Sequence, residues 1–201
     1  VENKKITSLL DKQLSNSRYK YPKKAYNSIN LPKKIEYIPS IPKKENFKIN
    51  VIKTQLPGIM TFQETIKINK KINSWSEILE KHNLCHLCVI ERHGINGEFS
   101  HGFLQNFNIK RGAVASSVGH DAHNIIVAGT NEDDMQYATK LINEYQGGVV
   151  IVDNNKLIAN IKLPIAGLLS DKKASEVAKE NKLFKKVWNN LGFSIAYMGF
   201  N

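Results

Sequence analysis

The densest group of polar side chains in the sequence occupies residues 116–124, with the letters SSVGHDAHN. Its histidines and its aspartate lie close together, and histidine titrates near neutral pH and has two distinct ring nitrogens. Such a group can act as general acid and base, or it can bind a metal ion. A loop of this composition can equally cap the next strand, with His120 and Asp121 satisfying buried backbone groups. The spacing alone leaves both interpretations open.

A second polar group, Glu91-Arg92-His93, follows an apolar run and precedes a glycine loop at 94–97. In extended backbone, Glu91 and His93 point to one side and Arg92 to the other. A site would therefore use Glu91 together with His93, or Arg92 alone. The alternative is a surface ion pair between Glu91 and Arg92. The glycine loop is typical of a hairpin or a site loop, because no P-loop lysine follows it.

Cys85 and Cys88 have the two-residue gap that is common in zinc sites. These are the two cysteines of the sequence, so there is no second pair. In a strand, side chains three positions apart face opposite sides. We therefore predict two buried, small apolar side chains rather than a metal site.

The net charge of +11 is concentrated in the first part of the chain. Residues 1–80 contain 16 Lys and Arg against 7 Asp and Glu, whereas residues 81–201 contain 13 against 11. The basic pairs lie beside prolines and not among aromatic residues that could stack on bases, so we expect no nucleic-acid partner. No apolar run approaches the roughly 20 residues of a membrane helix, and the N-terminus lacks the apolar stretch of a secretory signal. We therefore expect no membrane partner and a cytoplasmic location.

The elements that must position the polar groups follow from apolar periodicity and turn signals. Prolines and lysines between 20 and 44 disfavour helix and predict an extended connector. Strands are predicted at 47–53, 61–69, 84–90, 124–128, 149–152 and 156–163, with turns at Pro57-Gly58 and at 153–155. A cap at Asn131 or Thr130 and the acidic turn after it predict a helix up to Gly147, and a later apolar stripe predicts another from about 171 to 191. The predicted fold class is α/β, a mixed β-sheet with packed helices, preceded by an extended connector.

Several strings together resemble the C-terminal domain of adenine deaminase, a member of the amidohydrolase superfamily. They are Glu91-Arg92-His93-Gly94, Gly102-Phe103, the run KRGAVASSVGHDAHNIIV at 110–127, Gly129-Thr130-Asn131, Gly147-Gly148, and the run LPIAGLLS at 163–170. The resemblance covers most of residues 47–201, in the family's order and spacing. Residues 1–45 resemble the family's basic Pro/Lys connector, and Val1 to Lys5 are similar to the strand that closes its β-sandwich. We therefore expect a connector at 1–45 and an α/β domain at 46–201 that is truncated at its end.

The resemblance implies hydrolytic deamination of adenine to hypoxanthine and ammonia by a metal-held hydroxide. It implies manganese or iron as the metal, with its ligands in an amidohydrolase barrel that this chain lacks. No metal ligand is therefore assigned within this chain. We expect the isolated chain to be inactive without the barrel, and the complete enzyme to be a homo-oligomer.

The resemblance also suggests roles for the polar groups at the mouth of the barrel site. His120, Asp121 and His123 are candidates for a proton relay, or for residues that support one. Candidate substrate-binding residues are Glu91, Arg92, His93, Ser116, Ser117 and Asn124. The competing hypothesis is a non-catalytic domain that binds a purine or a partner protein. Purine binding without ammonia release would distinguish it from the enzyme.

Overall fold

A computed structural model of the 201-residue chain describes residues 20–54 and 61–192. Its strands are β1 (Phe47–Thr54), β2 (Thr61–Ile68), β3 (Leu84–Ile90), β4 (Phe99–Gln105), β5 (Ala113–Ser116), β6 (Ile125–Gly129), β7 (Gly148–Asp153) and β8 (Lys156–Lys162). Its helices are α1 (Ser76–His82), α2 (Glu132–Tyr145) and α3 (Ala174–Asn190), and a short 3-10 helix spans Lys23–Tyr26. The predicted turn at Pro57-Gly58 and the predicted strand at Val1 to Lys5 lie outside the described residues.

The strands form one eight-stranded sheet in the order β2-β1-β4-β3-β6-β5-β7-β8. The pair β1–β4 is parallel, and the other neighbouring pairs are antiparallel. The sheet is therefore mixed, and together with its helices it confirms the predicted α/β class. The centre of the sheet brings the end of β3 beside the start of β6, because Ile90 pairs with Ile125. Both predicted polar groups therefore lie at the same end of the sheet.

Alternating side chains divide the core between the two faces of the sheet. On the first face, here called the α2 face, Cys88 and Ile90 pack with Met135 and Ile142 of helix α2. On the second, the α3 face, Cys85 packs in one cluster with Trp188 of helix α3. Helices therefore pack on both faces of the sheet, as in other α/β layer structures.

Helix α2 begins as the sequence predicts. The side chain of Asn131 accepts a hydrogen bond from the backbone N–H of Asp134 at 2.9 Å, and the first turn is acidic. The helix ends at Tyr145, one residue before Gln146, which adopts left-handed backbone with φ of 56°. The C-cap is therefore Gln146, which directly precedes Gly147-Gly148, the pair that the sequence predicts as the end of the helix.

The described part of the predicted connector lies on the α2 face of the sheet. Residues 20–45 contain the 3-10 helix and no strand. Ile29 and Tyr37 are nevertheless 6% exposed and belong to the core of the α2 face. The connector thus contributes to the packing of the domain, and a boundary at residue 45 stays a prediction. No helix among the described residues is long and apolar enough to cross a membrane.

Candidate functional site

The polar loop at 117–124 connects β5 to β6 and carries two strongly exposed groups. The side chains of His120 and Asp121 are 88% and 98% exposed. Nδ1 of His120 contacts Oδ1 of Asp121 in a hydrogen-bonded ion-pair geometry. This hydrogen bond, followed by the charge of the imidazole, lowers the pKa of the Asp121 carboxyl. The loop therefore exposes the imidazole of His120, paired with the ionised carboxylate of Asp121, on the surface of the domain.

His123 lies beside this pair but is held more firmly. Its ring centroid is 5.7 Å from that of His120. Its backbone is left-handed, with φ of 51°, and its carbonyl oxygen accepts a hydrogen bond from Nε of Arg92. The ring nitrogen Nδ1 is buried and has no hydrogen-bond partner among the described residues. His123 therefore anchors the loop through its backbone carbonyl, whereas its ring nitrogen Nδ1 takes no part in holding the loop.

Ser117 fixes the start of the loop from within the core. It is completely buried. Its hydroxyl donates to the carbonyl oxygen of Gly167 at 2.6 Å and accepts from the backbone N–H of Gly148 at 2.8 Å. Ser116, also buried, accepts from the backbone N–H of Val118 at 3.0 Å and turns the chain out of β5. Both hydroxyls are thus engaged with backbone groups.

Arg92 is the second internal anchor of the loop. It is 2% exposed, and its guanidinium donates to backbone carbonyls of three segments that are distant in sequence. Besides His123, the acceptors are the carbonyl oxygens of Ser28 at 3.2 Å and Ala166 at 3.1 Å. The planar fork of donors on arginine suits this kind of multiple contact. Arg92 therefore ties the connector, the polar loop and the 163–170 segment together.

Glu91 organises the glycine loop that follows it. Its carboxylate accepts hydrogen bonds from the backbone N–H groups of His93, Ile95 and Gly97. Burial alone would raise the pKa of the Glu91 carboxyl, but these backbone hydrogen bonds outweigh burial, and the pKa is lowered. Glu91 is therefore an ionised group whose hydrogen bonds close a local turn.

His93 is exposed and reaches across to the polar loop. Its Nε2 lies 3.2 Å from the carbonyl oxygen of Ala122. Asn124 is half-buried and directly precedes β6. The structure thus brings the two polar groups together through two contacts, Arg92 with His123 and His93 with Ala122. The antiparallel pairing of β3 with β6 accounts for this, because it joins the ends from which both groups extend.

Cys85 and Cys88 are buried free thiols on opposite faces of the sheet, as predicted. Burial raises the pKa of the Cys85 thiol above its ordinary value and that of Cys88 to about 12. Neither thiol is ionised at neutral pH. The described residues contain no group of three or more His, Cys, Asp or Glu side chains that could hold a metal ion. These described residues therefore do not fit a metal centre.

An apolar groove on the α3 face adjoins the polar loop, and the sequence did not predict it. Its volume is about 460 Å³. The lining residues are Thr54, Thr61, Leu87, Val89, Leu104, Phe107, Val114, Ser116, Val118, Gly119, His120, Ile126 and Ala128. The alternation of apolar side chains in β3 and β6 was the available signal, since half of them had to face away from α2. Because Gly119 and His120 line the groove, it extends to the exposed imidazole.

Comparison with known proteins identifies the family. The family model described as "Adenine deaminase C-terminal domain" matches residues 56–199. The chain is 54% identical over 202 residues to a protein named adenine deaminase from Chelativorans sp. (strain BNC1), and it covers 33% of that protein. It is 35% identical over 182 residues to an adenine deaminase from Clostridium botulinum (strain ATCC 19397 / Type A), of which it covers 30%. The chain belongs to the adenine deaminase C-terminal domain family. It spans about a third of the length of these curated relatives.

Proposed function

We propose that this chain serves as the C-terminal third of an adenine deaminase, which converts adenine and water into hypoxanthine and ammonia. The family match over residues 56–199 carries the proposal, and relatives that are matched over the whole chain have this activity as their name. The metal ion, manganese or iron, would be held by the part of the enzyme that this chain does not match. When bound, the metal would supply the hydroxide that attacks the purine.

Within this proposal, the loop around His120 lies next to the site where the purine is deaminated. The exposed pair of His120 and Asp121 supports this role, because an accessible imidazole that is hydrogen-bonded to a carboxylate is a common general acid and base. Asp121 would orient the ring through Nδ1 and leave Nε2 directed away from the carboxylate. His123 would set the position of the loop through its backbone and keep its ring next to that of His120.

The remaining candidates fall into two groups in the proposal. Ser117 and Arg92 would position the loop, since their polar atoms are occupied by backbone groups inside the domain. The exposed His93 and the half-buried Asn124 are better placed to reach a substrate held by the rest of the enzyme. Their substrate-binding roles, with those of Glu91, Ser116, Ser117 and Arg92, stay predictions.

A chimera tests the proposed function. The C-terminal third of the Chelativorans relative is replaced by this chain, and ammonia release from adenine is measured with manganese or iron present. We expect turnover by the chimera and none by the isolated chain above a metal-only control. A folded, metal-loaded chimera that binds purines without releasing ammonia would contradict the proposal and favour a non-catalytic binding domain.

A further inference from the structure

Helix α3 covers only one side of the α3 face of the sheet. It packs mainly along β8, at one edge of the sheet. Farther across the same face, apolar side chains of four neighbouring strands and of the polar loop form what we call the open surface: Ile52, Leu104, Leu87, Val89, Ile126 and Val118. The strand pairing places them on one face, because Ile52 lies opposite Leu104 and Val89 lies opposite Ile126.

The open surface is apolar and accessible. Ile52, Val118 and Ile126 are 39%, 37% and 36% exposed. Among the described residues that line the groove, none is Asp, Glu, Lys or Arg, although these four types make up 23% of the chain. A contiguous exposed apolar patch marks an interaction site, and the buried centre of a protein interface is depleted in charged residues. The open surface therefore has the composition of an interface.

The opposite face of the same strands is already covered. On β1, Ile49 and Val51 are buried in one cluster with Ile78 of helix α1. On β3, Cys88 and Ile90 are buried in the cluster that contains helix α2 and the connector. A partner of this part of the sheet therefore has to approach from the α3 face.

The position of His120 indicates which partner that is. The groove extends to His120, whose side chain is 88% exposed. Under the proposed function, the purine that meets His120 is held by the part of the enzyme that this chain does not match. That part is about two thirds of the length of the curated relatives, since the chain covers 33% of the Chelativorans protein. A body of this size that reaches His120 from the groove side also lies over the open surface.

We propose that the open surface is the face on which the remaining two thirds of the enzyme docks. A single contact then buries Ile52, Val118 and Ile126 and brings the bound purine to His120. The inference rests on the proposed function and adds to it the side of the domain from which the rest of the enzyme approaches. The partner is an uncharged, apolar protein surface, since a charge placed against Ile126 and Val89 would lose its water without gaining a counter-charge.

Thiol labelling tests the proposal. Ile126→Cys is placed in the isolated chain and in the chimera with the Chelativorans relative, and the rate of maleimide labelling at residue 126 is read by mass spectrometry. The native thiols of Cys85 and Cys88 are buried and have raised pKa values, so they should react slowly. Because thiol reactivity follows access, labelling at residue 126 should be at least about tenfold slower in the chimera. The matched control is Ile158→Cys, at a 42% exposed position on β8, whose rates in the two proteins should agree within about twofold.

The other possible occupants give different results, and each of them overturns the proposal. Equal rates at residue 126 in the chimera and in the isolated chain mean that the rest of the enzyme docks elsewhere. Slow labelling of the isolated chain that becomes faster on dilution means that a second copy covers the surface, and slow labelling at every dilution means that the chain covers it itself. Slower labelling of the isolated chain when adenine is added means that the groove takes a small ligand.

A charge on the open surface provides a second test. Ile126→Asp should leave the melting temperature of the isolated chain nearly unchanged, because the side chain is exposed there. In the chimera it should lower adenine turnover at least about tenfold, because docking would bury an unpaired carboxylate, whereas Ile158→Asp should have no such effect. A fully active Ile126→Asp chimera overturns the docking face and leaves the proposed function intact. An inactive parent chimera would instead contradict the proposed function, and the labelling rates still test the docking face because they do not use ammonia release.

Discussion

Replacing Arg92 with methionine should destabilise the domain strongly, although the side chain was a candidate for substrate binding. The change keeps much of the apolar length of the side chain but removes donors to the carbonyl oxygens of Ser28, His123 and Ala166. A buried acceptor that loses its donor costs roughly 1–3 kcal/mol. Ser28 and Ala166 are not fully buried, so water will replace part of the loss. We therefore expect a decrease of about 2–4 kcal/mol in the free energy of unfolding.

Urea unfolding followed by circular dichroism measures this change. Arg111→Met is the matched control, because Arg111 pairs with Asp153 at 2.8 Å but has a 68% exposed side chain. The Asp153 side chain is only 12% exposed, so the control should lose somewhat more than the about 0–1 kcal/mol of a fully exposed pair, but clearly less than Arg92→Met. Arg92→Lys should be intermediate, since one ammonium cannot reach all three acceptors. If Arg92→Met unfolds at the same urea concentration as the parent, the interpretation of Arg92 as an internal anchor is refuted.

Three further predictions follow from buried groups. His86 is 2% exposed, and burial lowers its pKa from 6.5 to about 4, so the unfolded chain binds a proton first as the pH falls. The free energy of unfolding should therefore drop by about 3 kcal/mol between pH 6.5 and 4 and be flat above pH 7. In urea titrations, His86→Phe should largely remove this pH dependence. Ser117→Ala should lower the free energy of unfolding by about 1–3 kcal/mol, measured in the same way, because the N–H of Gly148 loses its acceptor. Gly112→Ala should reduce the melting temperature by several degrees more than Gly102→Ala. Gly112 has φ of 78° and an added Cβ would lie 2.2 Å from a backbone oxygen, whereas a Cβ at Gly102 would meet open space. Equal melting temperatures of the two variants would contradict this reasoning.

Local signals predicted those elements whose apolar pattern is strong. The cap at Asn131 and the stripe that includes Met135 and Ile142 predicted α2, and β3 has the predicted bounds. Helix α1 was not predicted, because it is seven residues long and its N-cap, Trp75, makes no side-chain capping hydrogen bond. Strand β4 was not predicted either. It contains Ser100, His101 and Gly102, which have weak strand preference, and its place in the sheet comes from pairing on both sides.

The sequence predicted which residues form the candidate site. It did not predict which of them are buried and position the loop and which are exposed. The sequence brought Glu91 to His93 and the 116–124 run to attention because polar residues cluster there. Their exposure could not be read from the residue types, since Ser117 is fully buried while Asp121, four positions later, is 98% exposed. Tertiary contacts over long sequence distances, such as that of Arg92 with Ala166, decide which side chains turn inward.

The connector shows the same limit of local reasoning. Its prolines correctly predicted a segment without helix beyond the short 3-10 turn. Burial of Ile29 and Tyr37 depends on the sheet surface under them, which no local pattern describes. The Cys88 thiol even donates to the carbonyl oxygen of Glu36, at 3.9 Å. Removing residues 20–45 would therefore uncover part of the α2 face.

The most direct test of the central claim, that the loop at 120–123 serves deamination, is the turnover of the chimeric deaminase with His120→Ala. His101→Ala is the matched control, because His101 is also an exposed histidine but lies within β4. Proton transfer by a positioned side chain contributes typically about 10²–10⁴-fold, so we expect kcat for adenine to fall at least about tenfold with His120→Ala and to stay within about twofold with His101→Ala. An unchanged kcat for a folded His120→Ala chimera would contradict the account.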